Sequence, residues 1–315
     1  MPFDLKPFRG IFPAALTMFD RENNLDEEAT ARHWEWLISE QGADGLVIAG
    51  TSGEFIALES EERVRLFRLA QQVVRKRVPV IYGSGHYSTK LTLELSEAAA
   101  KYGADALIVI LPYYQKPSKP AVIEHYRQVR RGTNLPLMLY NNPGNSACVE
   151  LSPRDIAQLV NEDVLHMVKS TFGTVEPVHD LSYLVGDRMA IFYGSFLAAF
   201  EGLAAGAHGW ISGVLNVATP AAKAMYQAIV VENDVHKGFR IWKKILPIVH
   251  LYTHQQVGPV SDLATYRSML KFWGHEGGFC RNPFFPLDEK QEATLRRLLE
   301  RSGWMDPEHI LDDIQ

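Results

Sequence analysis

The chain has 315 residues, of which 46% are hydrophobic and 22% are charged, a composition typical of a folded globular protein rather than a disordered one. Its formal net charge is −5 and its isoelectric point is near 6.1, so charge gives no reason to expect nucleic acid or an anionic membrane as a partner. A small-molecule partner is therefore expected.

Short apolar runs alternate with longer amphipathic stretches up to about residue 233, and this alternation predicts successive strand–helix units. Each run is rich in Val, Ile and Leu, which is typical of parallel strands covered on both faces. The predicted strands are 10–17, 45–50, 78–84, 106–112, 135–143, 164–170, 189–194 and 209–213. Eight units in series favour a (β/α)8 barrel, or TIM barrel, over a doubly wound open sheet.

The pattern turns helical beyond residue 233, with predicted helices over 236–254, 261–273 and 288–302. No Ser- or Gly-rich linker separates this part from the rest, so we do not expect an independent domain. The predicted organisation is a catalytic barrel over residues 1–233 and a C-terminal helical extension, packed on the barrel, over residues 234–315.

The first ten residues carry Asp4, Lys6 and Arg9 and lack the apolar core of a signal peptide. No apolar run reaches the roughly 18 residues of a membrane span. The two cysteines, Cys148 and Cys280, could form at most one disulfide, and their spacing indicates no metal site. These features predict a cytoplasmic protein.

Lys169 and Tyr140 stand out because active sites of α/β barrels collect at the carboxyl ends of the strands. Lys169 comes at the end of the sixth run, where an ammonium is costly unless it is paired or neutral. Burial favours the neutral amine, which can attack a carbonyl carbon. The alternative is a lysine whose ammonium extends to water. Tyr140 ends the neighbouring run and could pass protons to an intermediate on Lys169, which favours the functional interpretation.

Thr51 and Ser52 lie between two glycines directly after the second run. Their backbone amides, with the amino end of the following helix, could hold a carboxylate group. An ordinary hydroxyl-rich turn is the alternative, and the short motif does not decide between the two interpretations.

Taken together, these motifs resemble the dihydrodipicolinate synthase and N-acetylneuraminate lyase family of class I, pyruvate-binding lyases, over about residues 10–220. The matching motifs are Gly50-Thr51-Ser52-Gly53-Glu54, Pro112-Tyr113-Tyr114, Tyr140-Asn141-x-Pro143, Lys169 and Gly209-Trp210-Ile211-Ser212. The resemblance implies a (β/α)8 barrel with C-terminal helices, assembled as a homotetramer of two tight dimers. It also implies that neither a metal nor a redox cofactor is required.

The resemblance implies catalytic roles for four residues. Lys169 would form a Schiff base with a 2-oxo acid such as pyruvate, and Tyr140 would be the general acid and base. Thr51 would relay protons to Tyr114, which the neighbouring subunit of the tight dimer would supply. Tyr113 would lie at the same interface.

The binding residues follow the family in part. The resemblance implies that the amides of Thr51 and Ser52 hold the carboxylate of the 2-oxo acid and that the carbonyl of Ile211 faces the site. The synthases of the family usually carry an arginine for a second carboxylate shortly after Tyr-Asn-x-Pro, where this chain has Asn145. The acidic position after the seventh strand is replaced by Ser195 here.

These departures shape the functional hypothesis. Asn145 and Ser195 could bind substrate hydroxyls, which favours an aldolase or dehydratase of a 3-deoxy-2-oxo sugar acid or a related hydroxy-oxo acid. The first alternative is dihydrodipicolinate synthase itself, with another group in place of the arginine. The second is a barrel that binds a small acid without turnover, against which the Lys169, Tyr140 and Thr51 relay argues.

Overall fold

Eight parallel strands form the centre of the molecule, in a computed structural model that describes residues 3–146 and 150–314. The strands are β1 (Gly10–Pro13), β2 (Leu46–Ile48), β3 (Val80–Gly83), β4 (Ala106–Ile110), β5 (Leu137–Asn141), β6 (Met167–Ser170), β7 (Ala190–Tyr193) and β8 (Gly209–Ser212). Their hydrogen-bonded order is β1-β8-β7-β6-β5-β4-β3-β2, and a bridge between Ala14 and Val47 joins the two ends. The predicted (β/α)8 barrel is confirmed.

Helices surround the strands and continue beyond the last of them. They are α1 (Glu27–Ser39), α2 (Ser60–Val74), α3 (Thr89–Lys101), α4 (Lys119–Arg131), α5 (Pro153–Asn161), α6 (Glu176–Val185), α7 (Ala199–Ala204), α8 (Leu215–Tyr226), α9 (Val235–Thr253), α10 (Asp262–Phe272) and α11 (Glu289–Ser302). Polar residues start several of them, as where the Asp26 side chain accepts a hydrogen bond from the Ala29 amide at the beginning of α1.

Side chains along each strand alternate between two layers of the core. The layer inside the barrel contains Phe12, Ile81, Ile108, Met138, Tyr140, Met167, Phe192 and Ile211. The intervening residues, such as Leu139 and Val168, pack between the strands and the helices. Because the side-chain period of a strand is two residues, Lys169 shares the inward face of Met167.

The C-terminal helices α9, α10 and α11 lie close to the predicted ranges; α9 and α10 pack against α8, and α11 packs against α9 and α10. Trp242 of α9 packs edge-on against Trp210 of β8, with ring centroids 6.3 Å apart. The boundary after residue 233 stays a prediction. Among the helices of the described ranges, none combines the length and the hydropathy that crossing a membrane requires. Cys280 is buried with a free thiol, whereas Cys148 lies outside the described residues.

Asn216, at the start of α8, joins the ends of β1 and β8. Its side-chain oxygen accepts hydrogen bonds from the Leu16 amide at 3.0 Å and from His33 Nε2 at 2.9 Å. Its Nδ2 donates to the carbonyls of Ala14 and Gly213, both at 2.8 Å. Burial lowers the pKa of His33 to about 4, so the ring is neutral near pH 7 and can donate this hydrogen bond without a buried charge.

We therefore predict that Asn216→Ala lowers the free energy of unfolding by about 3 kcal/mol, because it leaves buried donors and acceptors without partners. Urea denaturation of the two proteins measures the difference. Asn161→Ala is the matched control, since Asn161 is exposed and its loss should change the free energy by less than about 0.5 kcal/mol. Equal losses for the two variants would contradict the role assigned to Asn216.

Candidate active site

Lys169 and Tyr140 lie side by side at the carboxyl ends of β6 and β5. The two residues are register partners in the sheet, and the Lys169 Nζ is 4.0 Å from the centroid of the Tyr140 ring. Lys169 is 6% exposed and Tyr140 is 7% exposed. No Asp or Glu within the described ranges forms an ion pair with Lys169. A buried lysine without a counter-charge is costly for stability, which indicates a functional role.

The phenol of Tyr140 is surrounded by polar groups. Burial by itself raises its pKa, but the positive charge of Lys169 and hydrogen bonds with Lys169 and Thr51 outweigh burial. The net effect is a pKa below the ordinary value of 10.0. The Asn142 Nδ2 also donates a hydrogen bond to the Tyr140 oxygen at 2.9 Å. Tyr140 is thus better suited to exchange protons near neutral pH than an isolated tyrosine is.

The turn after β2 presents unused backbone donors. In the described part of the chain, the N–H groups of Thr51 and Ser52 donate to no protein acceptor. The turn closes with a hydrogen bond from the Glu54 amide to the Thr51 carbonyl at 3.0 Å, and Glu54 has a positive φ of 55°. Two adjacent free N–H groups form a suitable binding site for a carboxylate.

A narrow cavity of about 20 Å³ connects these groups inside the barrel, and Thr51, Tyr140, Lys169 and Arg63 all line it. That volume holds about one water molecule. The described residues that line the cavity include no Asp or Glu. With two cationic side chains and no carboxylate, this part of the barrel favours an anionic ligand.

Arg63, on α2, is a buried cation that the sequence did not single out. Its guanidinium donates to the carbonyls of Gly83 and Gly85, and it lies 5.5 Å from the centroid of the Phe55 ring. Its Nε has no hydrogen-bond partner among the described residues. Burial lowers the pKa of Arg63 to about 10, so it remains positively charged at neutral pH. In the sequence, Glu-Glu-Arg-Val within a helix looks like a solvated face.

A larger groove of about 610 Å³ lies at the opposite end of the barrel, lined in part by Arg9, His166 and His208. These residues stand at the amino ends of the strands. In α/β barrels that end contributes to stability, whereas catalytic residues come from the carboxyl ends. We therefore place the candidate site at Lys169, despite the smaller volume there.

Tyr113 and Tyr114 occupy different environments after β4. Tyr113 is half-buried and packs edge-on against Phe55 and Tyr87, with ring centroids 5.9 and 6.2 Å away. Tyr114 is 91% exposed and has a positive φ of 77°. It therefore does not join the buried pair of Lys169 and Tyr140 within its own chain. Ile56, which is 66% exposed, adds to the apolar surface on this side.

The remaining predicted binding residues differ in position. Ile211 is buried inside the barrel, and the role of its carbonyl stays a prediction. Ser195 is buried, and its hydroxyl accepts a hydrogen bond from the Leu197 amide at 3.1 Å. Asn145 is exposed in the turn after β5. A side chain at Gly194 would collide with Lys169, so the chain after β7 approaches the lysine closely.

Comparison with known proteins identifies the family. The model of the dihydrodipicolinate synthetase family matches residues 7–302. The 4-hydroxy-tetrahydrodipicolinate synthase of Pelobacter propionicus is 31% identical over 297 residues, covering 94% of this chain and 99% of that protein. The enzyme of the same name from Acidiphilium cryptum is 33% identical over 297 residues, covering 94% of this chain and 99% of that protein.

Solved structures agree with this match. A family member from the Escherichia coli K12 prophage, solved with pyruvate, has a TM-score of 0.86 and 30% identity, and the match covers 94% of this chain and 99% of that one. A Clostridium difficile protein solved with mannosamine has a TM-score of 0.87 at 20% identity, which shows the fold alone. The predicted family and the predicted class of enzyme, a lyase, are confirmed. The chain belongs to the dihydrodipicolinate synthetase family.

Proposed function

We propose that this chain forms a Schiff base between Lys169 and pyruvate and uses it to make or break a carbon–carbon bond. One observation carries the proposal: a buried lysine, with no carboxylate partner among the described residues, lies 4.0 Å from the ring of a tyrosine whose pKa is lowered. The free amides of Thr51 and Ser52 would hold the carboxylate of the 2-oxo acid. A cytoplasmic location is part of the proposal.

The mechanism assigns one task to each group. The Lys169 ammonium passes a proton through Tyr140 and Thr51 to solvent, and the neutral amine adds to C2 of pyruvate. Tyr140 carries one proton from the nitrogen to the former carbonyl oxygen to give a carbinolamine, then protonates the hydroxyl, and water leaves as the C=N bond forms. The Tyr140 phenolate takes a proton from C3 of the imine, and the resulting enamine attacks the aldehyde carbon of the acceptor, whose oxygen is protonated through Tyr140 and Thr51. In the opposite direction, the cationic imine of the larger 2-oxo acid accepts the electron pair of the carbon–carbon bond that breaks.

Two candidates remain for the second substrate. The names of the relatives support the synthase alternative, 4-hydroxy-tetrahydrodipicolinate synthase, better than the sugar-acid hypothesis. The synthase reaction, in which pyruvate condenses with aspartate semialdehyde, is therefore the first candidate. Cleavage or dehydration of a 3-deoxy-2-oxo sugar acid is the second, because exposed Asn145 stands where the synthases usually carry an arginine.

The exposed side chains beside the site favour assembly with further copies of the chain. Tyr114, Ile56 and Tyr87 are 91, 66 and 40% exposed, and together they form an apolar surface next to the barrel mouth. We propose that this surface joins two chains into a tight dimer and that two such dimers form a homotetramer. Tyr114 would then complete the proton relay of its neighbour.

Reduction with borohydride tests the Schiff base. In the presence of pyruvate, a stable adduct should form on Lys169, and peptide mass spectrometry should locate it there. Lys271, an exposed lysine on α10, serves as an internal control and should stay unmodified. An adduct at Lys271 or at no lysine would overturn the proposed function.

Mixed oligomers test the role of Tyr114. Chains with Lys169→Ala and chains with Tyr114→Phe should each be inactive or slow, because one lacks the nucleophile and the other the end of the relay. Co-expression should restore activity, since a hybrid dimer contains one site with both residues. Light scattering should give the mass of four chains. Hybrids that form without regaining activity would show that Tyr114 does not act across the interface.

The variant Asn145→Arg tests the acceptor site. If Asn145 faces the distal carboxylate of aspartate semialdehyde, the guanidinium should raise kcat/KM for this substrate by about 10- to 100-fold. Assays with a panel of 3-deoxy-2-oxo sugar acids provide the comparison, and their kcat/KM should not rise. No gain with the semialdehyde would place Asn145 outside the acceptor site.

A further inference from the structure

We propose that Asn142 is a positioning residue, which holds the Tyr140 phenol and directs its proton toward Thr51 and Lys169. The inference rests on the proposed function and extends it to a residue that occupies the variable position of Tyr-Asn-x-Pro. The Asn142 Nδ2 donates to the Tyr140 oxygen at 2.9 Å, and both side chains are buried.

The direction of this hydrogen bond decides where the phenol proton can go. An amide N–H can only donate, so Asn142 occupies one acceptor position of the phenol oxygen and never receives the proton. The proton must therefore point to another polar neighbour of the phenol, such as Thr51. Thr51 is the group through which the proposed relay continues.

The same hydrogen bond stabilises the deprotonated state. A donor held against the oxygen favours the phenolate over the phenol, and this effect is stronger in a buried site than in water. Asn142 has no proton to lose near neutral pH, so its effect persists over the working range of the enzyme. Lys169, by contrast, changes its chemistry when it becomes an imine.

The backbone of Asn142 is fixed as firmly as its side chain. Its carbonyl accepts hydrogen bonds from the Ser146 amide at 3.0 Å and from the Ser146 hydroxyl at 2.6 Å. The preceding residue, Asn141, exchanges hydrogen bonds with Leu151 at 2.9 and 3.4 Å. The backbone that carries the Asn142 side chain is thus held by hydrogen bonds on both sides, which a positioning residue requires.

Ultraviolet titration of tyrosinate tests the inference without relying on activity. The difference between a protein and its Tyr140→Phe counterpart isolates the ionisation of Tyr140. We expect Asn142→Leu to raise the midpoint by about one pH unit, because it removes a hydrogen bond to the charged form. Asn142→Asp, which keeps the size but cannot donate when ionised, should raise it at least as far. Asn161→Ala changes an exposed asparagine on α5, away from Tyr140, and should leave the midpoint unchanged.

The rate of imine trapping provides the second measurement. Asn142→Leu should slow trapping by about tenfold, with little change in the pyruvate concentration at half-saturation. In a Tyr140→Phe background the same substitution should have no further effect, because Asn142 acts through Tyr140.

A loss of similar size in that background, or an unchanged midpoint in both Asn142 variants, would overturn the inference. Should the Leu variant fail to fold, the Asp variant decides both measurements. A wild-type chain that forms no adduct would refute the proposed function, while the titration would still test Asn142.

Discussion

The buried ion pair between Glu54 and Arg267 holds the candidate site together. Both side chains are almost completely buried, and the Arg267 Nη2 is 2.6 Å from the Glu54 Oε1. Burial raises the pKa of Glu54, while Arg267 and Arg281 act in the opposite direction. Glu54 ends the turn that carries Thr51 and Ser52. Because loss of one partner would leave an uncompensated buried charge, the pair keeps this turn and helix α10 in a fixed relation.

Helix α10 and the segment after it therefore belong to the framework of the candidate site. Arg267 also donates to the Thr17 carbonyl at 2.7 Å, directly beyond β1. Further along the chain, the Arg281 amide donates to the second oxygen of Glu54 at 2.9 Å, and its guanidinium forms two hydrogen bonds with Glu62 on α2. These contacts span more than 200 positions of the sequence, from the barrel to the last helices.

The sequence predicted the barrel and the pairing of Lys169 with Tyr140 because both depend on local patterns. Each predicted apolar run contains one observed strand. The runs are longer than the strands because apolar residues continue into the adjoining loops. The distant pair of Glu54 and Arg267 leaves no periodic signal. Arg63 lies in a charged helical stretch that resembles a surface, and its burial follows only from how α2 packs on the barrel.

The charge of the barrel interior explains why an anion suits this site. Lys169 and Arg63 line a cavity whose described lining residues include no carboxylate, although each buried cation lowers stability. Glu54, a buried acid close to Arg63 in the sequence, is already paired with Arg267 and does not neutralise the cations of the cavity. A bound 2-oxo acid would bring the missing negative charge, and its carboxylate would accept hydrogen bonds from the N–H groups of Thr51 and Ser52. Binding would then relieve an electrostatic imbalance that folding leaves in place, which links the cost of the buried cations to recognition of the substrate.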